Sequence, residues 1–203
     1  MTRLLPAILA MAAIVTASNI LVQFLLGDWL TWGAFTYPFA FLVTDLTNRF
    51  HGPAAARRVV LAGFATGVVC SFIAAGLDKT TLRIATGSGV AFLAAQLTDV
   101  AVFHWLRRGR WWRAPLVSTL VGSALDTALF FSIAFWSGLT LFGPAETEAA
   151  AWASDPTPFL NLGPVLPFWV SLACADWSVK LALALIALVP FRLILGRLGA
   201  RVA

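Results

Sequence analysis

The stretch PFWVSLACADWSVKLALALIALVP, Pro167–Pro190, decides the fold, because about 24 mostly apolar residues are enough to cross a bilayer as one helix. It contains two charged residues, Asp176 and Lys180. They are four residues apart, so on a helix they lie on one face and can contact each other. Ionisable residues inside a membrane usually pair with one another and often mark ligand or ion sites. The pair therefore indicates either a structural ion pair or part of a ligand site, and we favour the second interpretation.

The composition extends this conclusion to the whole chain. Of the 203 residues, 60% are hydrophobic and 11% are charged, a balance typical of integral membrane proteins. The sequence predicts an all-α integral membrane protein, in which residues 1–203 form a single domain of six transmembrane helices embedded in a lipid bilayer. The six expected helices are Leu4–Leu26, Trp29–Leu46, Ala54–Leu77, Leu82–Leu106, Ala114–Trp136 and Pro167–Pro190.

The positions of lysine and arginine predict the orientation, because cytoplasmic loops of membrane proteins are rich in both residues. Of the 14 Lys and Arg, Lys79 and Arg83 fall on one side and Lys180 lies in the membrane, whereas the others fall on the side that carries both termini. We therefore expect the N and C termini in the cytoplasm. The segment of about residues 137–166 has no Lys or Arg, and we expect it to be a long external loop with a short interfacial helix around Glu146–Trp152.

Several common functions are disfavoured by the sequence. The net charge of +5 is explained by the arginines that flank the spans, so no nucleic-acid partner is expected. The two cysteines and two histidines follow no metal or redox spacing, so we expect no metal site. No Gly-rich stretch ends in Gly-Lys-Ser/Thr, so no nucleotide-binding P-loop and no cofactor are expected.

The second predicted helix is interrupted by Pro38, which removes a backbone donor and should distort the helix there. Short, proline-broken spans can indicate a binding site in transporters, although a passive kink is an equal alternative. The segment is also aromatic. Phe39, together with Trp169 on the last helix, could stack on a flat ligand.

Polar residues inside the other predicted spans supply further candidates. Asn19 and Gln23 belong to a polar stripe on the first helix. Asp126 has no Lys or Arg within one turn, so we expect it to be unpaired in an empty site and Asp126→Asn to leave folding intact. Asp99 lies toward the cytoplasmic end of its helix, near Arg107 and Arg108, so a structural pair with an arginine is the alternative to a ligand role. The candidate substrate-binding residues are Asn19, Gln23, Phe39, Asp45, Gln96, Asp99, Asp126, Trp169, Asp176 and Lys180.

If these residues converge, they would line a pocket for a small planar heterocycle. A carboxylate accepts two parallel hydrogen bonds from a planar N–H/NH₂ edge, while aromatic rings stack on the face of the ligand. We expect Asp126 and Asp176 to share this pocket, with Lys180 holding Asp176 ionised. Spacing along the sequence does not by itself establish that the residues meet.

The segments that carry these residues resemble the queuosine precursor transporters, the VUT family. The resemblance covers nearly the whole chain in order, through the Asp176/Lys180 pair and the following segments: SNILVQ (18–23), TWGAFTYPFAFLVTDLTNRFHG (31–52), AARR (55–58), QLTDV (96–100), RWWRAP (110–115) and STLVGSALDT (118–127). It implies a multi-pass importer in the bacterial inner membrane. The implied substrate is a 7-deazaguanine, either 7-cyano-7-deazaguanine or 7-aminomethyl-7-deazaguanine. A homodimer is left open.

Three functional alternatives remain. The first is a secondary transporter or facilitator without an ATPase, and the second is the substrate-binding membrane subunit of a vitamin-type system with a separate energising module. The third is an intramembrane aspartyl enzyme that uses Asp99 and Asp126, which would require two close carboxyl groups sharing a proton. We expect these two residues at different depths, and no Gly-x-Gly-Asp pattern surrounds either of them. The sequence therefore favours a transporter with no catalytic residues.

Overall fold

The computed structural model describes residues 4–199, which are mainly helical. The predicted positions of the two chain ends, at residues 1–3 and 200–203, lie outside the described residues. The helices are α1 (Leu5–Leu21), α2 (Gly33–Thr36), α3 (Phe39–His51), α4 (Pro53–Gly76), α5 (Leu82–Leu106), α6 (Arg113–Phe135), α7 (Pro144–Ala149) and α8 (Phe168–Gly199). Four of them, α4, α5, α6 and α8, are long and apolar enough to cross a membrane, and α1 is a shorter apolar helix. The protein is therefore a multi-pass helical membrane protein.

The helices α4, α5 and α6 begin and end within about one residue of their predicted bounds. Pro53 occupies the first turn of α4, where its missing N–H is not needed. The side chain of Thr81 accepts a hydrogen bond from the Ile84 N–H and caps the start of α5. These local signals are visible in the sequence, which explains why the prediction is accurate here.

The first helix is shorter than predicted, because α1 ends at Leu21 rather than Leu26. The chain then forms an antiparallel hairpin from β1 (Leu25–Leu26) and β2 (Leu30–Thr31). Gly27 has a φ of +67° in the turn of this hairpin, a conformation that glycine adopts without strain. The hairpin leads directly into α2, so that Gln23 leaves the predicted polar stripe of the first helix.

The predicted distortion at Pro38 is present, since the second predicted helix is divided into α2 and α3. Around the proline, the Ala40 N–H bonds to the Tyr37 carbonyl and the Phe41 N–H bonds to the Pro38 carbonyl, a three-residue spacing. Gly33 allows α2 to pack closely on α1. A Cβ atom at Gly33 would lie 3.0 Å from both the Ser18 carbonyl oxygen and the Val22 nitrogen.

The last helix is longer than predicted, because α8 continues through Pro190 to Gly199. A proline inside a membrane helix is tolerated where the surroundings compensate for the lost hydrogen bond. Packing of the residue that follows Pro190 stabilises the continued helix. Phe191 is 1% exposed, and its ring lies 6.2 Å from the ring of Phe103 on α5.

The segment between α6 and α8 packs against these two helices. It contains α7, a 3₁₀ turn at Ala151–Ser154, and a second antiparallel hairpin of β3 (Pro156–Pro158) and β4 (Val165–Pro167). The short helix predicted around Glu146–Trp152 therefore begins and ends earlier. Ala150 and Ala153 are buried with Phe131 and Phe135 of α6, which holds the segment on the helices.

The helices α5 and α6 pack along each other, and α3 and α8 both contact α6. Gly122 on α6 makes this close packing possible. A Cβ atom at Gly122 would lie 2.8 Å from Phe41 Cε1 and 3.2 Å from the Ala95 carbonyl oxygen. The polar face of α6 is thereby brought against α3, α5 and α8.

Candidate functional site

A buried ion-pair cluster joins α2, α6 and α8. We call it the lysine cluster; its members are Tyr37, Asp126, Thr127, Asp176 and Lys180. Lys180 Nζ lies 2.7 Å from Asp126 Oδ2, 3.0 Å from Thr127 Oγ1 and 2.5 Å from Asp176 Oδ2. Asp126 and Asp176 therefore meet at one ammonium group, as the idea of a shared site requires.

Asp126 is fully paired, so the expectation that it is unpaired in the empty site is wrong. The Tyr37 hydroxyl donates to Asp126 Oδ1 at 2.8 Å, and Lys180 donates to Oδ2. These partners lie 89 and 54 residues away in the sequence, and neither is on the same helix. The expectation that Asp126→Asn leaves folding intact rested on an unpaired carboxylate, and it loses that basis because the carboxylate is part of a buried network.

Asp176 differs from Asp126 in having an oxygen free for a ligand. Its Oδ2 accepts from Lys180 and from the Thr127 hydroxyl, the latter at 2.9 Å. Within residues 4–199, no protein hydrogen bond reaches Asp176 Oδ1. The side chain of Asp176 is 17% exposed, compared with 7% for Asp126. Asp176 is therefore the more accessible acceptor of the cluster.

The charges of the lysine cluster suit a ligand rich in hydrogen-bond donors. Two carboxylates face one ammonium, so the cluster carries a net charge of −1 when all three groups are ionised. The ammonium also lies 5.5 Å from the centre of the Tyr37 ring, a cation–π distance. A donor or cation that approaches Asp176 would complete the charge balance.

A second buried acidic cluster lies between α3, α5 and α6. We call Asp45 and Asp99 the carboxyl pair, because both lie against the Ser118–Gly122 turn of α6: Ser118 contacts Asp45, and a Cβ atom at Gly122 would lie 3.3 Å from Asp99 Cβ. The Ser118 and Thr119 hydroxyls donate to the two oxygens of Asp45 at 3.1 and 3.4 Å. Asp99 is 0% exposed, and neither of its oxygens has a hydrogen-bond donor among residues 4–199.

The structural alternative for Asp99, a pair with an arginine, is not present among the described residues. Within the described part of the chain, Lys180 is the only cation in an ion pair with a carboxylate. Arg107 Nη1 instead lies 3.5 Å from a ring nitrogen of His104. Asp99 and Arg107 are eight residues apart, so they point in directions that differ by roughly 80° around the helix axis.

The remaining predicted residues are distributed around the two clusters. Gln96 is buried beside the carboxyl pair and accepts from the Thr44 hydroxyl at 2.6 Å, while its Nε2 has no partner among the described residues.

Asn19 donates to the Val15 carbonyl of its own helix, and Gln23 is exposed beyond the end of α1. Neither is among the contacts of the lysine cluster, contrary to the expected convergence. Phe39 is 40% exposed, and Trp169 packs beside Phe131 and Phe135.

Sequence reasoning missed Tyr37, although a signal for it exists. Tyr37, Phe41 and Asp45 are four residues apart on α2–α3, and Ser118, Gly122 and Asp126 are four apart on α6. In the structure these rows face each other in opposite order. Tyr37 bonds Asp126, Phe41 lies against Gly122, and Asp45 bonds Ser118. The rows connect the two clusters, which are separated by eight residues or roughly 12 Å along the helix.

Most members of the two clusters are shielded from the protein surface. Asp126 and Lys180 are 5% and 4% exposed. A cavity beside Asp45 has a volume of about 10 Å³ and is lined by Pro38, Phe41 and Thr119 among others. That volume holds about one water molecule. In the described conformation, therefore, Asp126, Lys180 and the carboxyl pair are closed off, whereas Asp176 is partly exposed.

Comparisons with known proteins give a consistent picture. Residues 31–195 match the family model described as "Putative vitamin uptake transporter". The chain is 34% identical over 196 residues to the "Queuosine precursor transporter" of Escherichia coli (strain K12), covering 87% of this chain and 79% of the relative. It is 32% identical over 176 residues to the "Probable queuosine precursor transporter" of Haemophilus influenzae, covering 79% of this chain and 66% of that protein. No solved structure gives a significant match.

Proposed function

This chain belongs to the queuosine precursor transporter family, and we propose that it imports a queuosine precursor across the bacterial inner membrane. The proposed substrates are 7-cyano-7-deazaguanine and 7-aminomethyl-7-deazaguanine. The family match covers residues 31–195 and thus includes both buried clusters.

The proposed topology has six spans, with both termini in the cytoplasm, in a single domain. Besides the four long helices, α1 has 17 residues and the α2–α3 unit covers residues 33–51. These lengths correspond to roughly 25 and 28 Å of helix, close to the thickness of a bilayer core of about 30 Å. The segment between α6 and α8 would then face the exterior.

The observation that carries the proposal is the lysine cluster, with its accessible Asp176. A planar N–H/NH₂ edge of the substrate would donate to the two oxygens of Asp176. Its donors would compete with Lys180 and Thr127 for Oδ2, while Lys180 keeps its second partner, Asp126. Asp126 thus holds Lys180 in position. When substrate takes the place of the lysine at Asp176, the ammonium still has Asp126 as a partner, so substrate can bind and leave without leaving Lys180 unpaired.

Two aromatic residues complete the proposed site. Trp169 precedes Asp176 by seven residues on α8, which is about two helical turns. We assign it to the approach that the substrate follows rather than to the level of the carboxylate. Phe39 begins α3, directly after the break at Pro38, and is 40% exposed, so we assign it to stacking on the substrate. We assign no substrate contact to Asp45, Gln96 or Asp99, which belong to the second cluster.

The structure also bears on the enzyme alternative. An aspartyl enzyme would need Asp99 and Asp126 to share a proton. Asp126 is instead bonded to Tyr37 and Lys180, and Asp99 lies with Asp45 against the Ser118–Gly122 turn. These contacts favour a binding and transport function over catalysis.

The test measures queuosine in the tRNA of a host that lacks both its own transporter and its own synthesis of the precursor. With this chain expressed and 7-cyano-7-deazaguanine or 7-aminomethyl-7-deazaguanine supplied, we expect queuosine to appear in tRNA. A host without any added energising module is used, so that success supports a secondary transporter. Wild-type expression with no queuosine from either precursor would contradict the proposed function. Recovery only after adding an energising module would favour the binding-subunit alternative.

A further inference from the structure

The carboxyl pair is buried without a counter-charge, and this sets it apart from every other acidic group in the described spans. Asp45 and Asp99 are 2% and 0% exposed. Asp45 has two hydroxyl donors, but both oxygens of Asp99 lack any donor within residues 4–199. Two further buried polar atoms nearby on the chain, Asn48 Oδ1 and Gln96 Nε2, are also unpartnered. Such a group in a membrane must acquire a ligand or lose its charge.

The cations on the surrounding helices do not neutralise the pair. Helix α1 has no titratable residue between Leu5 and Leu21. On α6 and α8, Asp126, Asp176 and Lys180 pair with one another. The charged groups at or near the helix ends are engaged elsewhere or exposed: Arg49 donates to the Arg107 carbonyl, Arg83 donates to the Ile133 carbonyl, Arg192 lies over the Trp111 ring, and Arg57, Arg58 and Arg113 are exposed.

The dimensions of the site favour a proton over a larger cation. The two carboxyl groups lie against one turn of α6, Ser118–Gly122, and the cavity beside Asp45 has room for about one water molecule. A proton bound to one carboxyl of such a pair removes one of the two buried charges and supplies an O–H donor, so a single proton lowers the cost of burying both residues. A hydrated metal ion would need several times that volume.

We propose that Asp45 and Asp99 form a proton-binding site, separate from the substrate site, through which import is driven by proton entry. This inference rests on the proposed transport function. Proton binding makes one O–H bond and breaks none in the protein, and release returns the proton to water on the cytoplasmic side. No other reactant is involved.

The link between the two sites is the contact of α2–α3 with α6. Tyr37 binds Asp126 at one level, and Asp45 accepts from Ser118 and Thr119 about two turns away. Phe41 and Gly122 are in close contact between these levels. Separation of α3 from α6 therefore changes the surroundings of both sites together, which is the physical requirement for coupling.

The experiment uses the purified full chain in proteoliposomes, with the membrane potential clamped and an outside-acid pH difference. For one proton per substrate, a difference of one pH unit should concentrate 7-cyano-7-deazaguanine by up to about tenfold. Asp99→Asn should still exchange substrate across the membrane, but its accumulation should fall to the external concentration. The control variant Asp28→Asn, at an exposed position in the first hairpin turn, should accumulate like the wild type.

A second measurement on the wild type keeps the inference testable if Asp99→Asn does not fold. A pH-sensitive dye inside the vesicles should report acidification when substrate is added outside. Substrate uptake without acidification, or accumulation that follows a sodium gradient instead, would overturn the proton site alone. Accumulation by folded Asp99→Asn at the wild-type level would do the same. A wild type that neither binds nor transports either precursor would overturn the proposed function, and this inference with it.

Discussion

The two buried acidic clusters of this protein contain the same number of aspartates, but they are neutralised in different ways. In the lysine cluster, Asp126 and Asp176 share the ammonium of Lys180. In the carboxyl pair, Asp45 and Asp99 have hydroxyl donors on one side only and no cation. A permanent internal cation leaves Asp176 free to exchange partners with a substrate. A pair without one can be neutralised only by something that arrives from outside the protein.

The two clusters should also differ in whether a mutation lowers the stability of the protein or only its transport. Breaking a network whose charges are mutually compensated leaves an uncompensated charge, which is strongly destabilising. Removing a carboxyl that has no partner leaves nothing stranded. Changes in the lysine cluster should therefore affect both stability and uptake, whereas changes in the carboxyl pair should affect coupling with little effect on stability.

The largest effect is expected for Lys180→Met. This change leaves Asp126 and Asp176 facing each other in the membrane without a cation, at an expected cost of roughly 3–5 kcal/mol of unfolding free energy. Unfolding in detergent measures it, with Lys79→Met at an exposed position as the matched control. A loss below about 1 kcal/mol would contradict the compensated network.

A smaller effect is expected for Asp126→Asn. Lys180 keeps Asp176, but one of the hydrogen bonds from Tyr37 or Lys180 now meets an amide N–H, at a cost of roughly 1–3 kcal/mol. Uptake should also fall, because Lys180 would lack its second carboxylate partner when substrate takes its place at Asp176. Thermal melts together with whole-cell uptake check both effects. Wild-type stability in this variant would restore the interpretation of Asp126 as an unpaired ligand-binding group.

Outside the membrane, Glu146 provides a third kind of acidic site, in which backbone N–H groups replace the cation. Its carboxylate accepts from the Arg83 N–H at 2.8 Å and from the Leu82 N–H at 3.2 Å, at the start of α5. Partial desolvation raises the pKa of Glu146, but the hydrogen bonds from Arg83, Thr81 and Leu82 outweigh it and hold the pKa below its ordinary value. These hydrogen bonds anchor the segment that follows α6 to the start of α5.

Because the folded state lowers the pKa of Glu146, its stabilisation is present above the ordinary pKa and is lost as the pH falls through the folded value. Glu146→Gln should therefore reduce stability by about 0.3–1 kcal/mol at pH 7 and by progressively less in acid. The neighbouring Glu148→Gln, at an exposed position, is the control. Melts at neutral and acidic pH measure the difference, and a gap that widens in acid would show the wrong sign.

The smallest effect on stability is expected for Asp99→Asn. The residue has no donor or counter-ion within residues 4–199, so its replacement by an amide of the same shape should change unfolding free energy by less than about 1 kcal/mol. The same melts measure it. A loss as large as that of Asp126→Asn would show that Asp99 has structural partners, and would remove the contrast between the two clusters.

Much of the fold was predictable because its signals are local. Pro53 and Thr81 mark the starts of α4 and α5, and the apolar runs that follow have the length of a membrane span. The ends of α1 and α8 were not predictable. The first depends on a hairpin at Gly27, and the second depends on packing of Phe191 against Phe103, which outweighs the usual effect of Pro190.

The candidate site was predictable only where both partners lie on one helix. The spacing of Asp176 and Lys180 is sufficient to place them together. The bonds of Asp126 to Lys180 and Tyr37 join helices that are distant in the sequence, and spacing within a helix does not reveal them. The same limit explains why Asn19 and Gln23 were expected in the pocket, since a polar stripe does not show which neighbour it faces.

Direct binding of 7-cyano-7-deazaguanine to purified Asp176→Asn tests the central claim, that the lysine cluster binds the substrate. Binding is measured by titration calorimetry on wild type, Asp176→Asn and Asp28→Asn, each shown by thermal melting to be folded. We expect Asp176→Asn to bind at least about tenfold more weakly, the equivalent of one lost hydrogen bond to a charged group. Asp28→Asn should bind like the wild type. Wild-type affinity in folded Asp176→Asn would contradict the account.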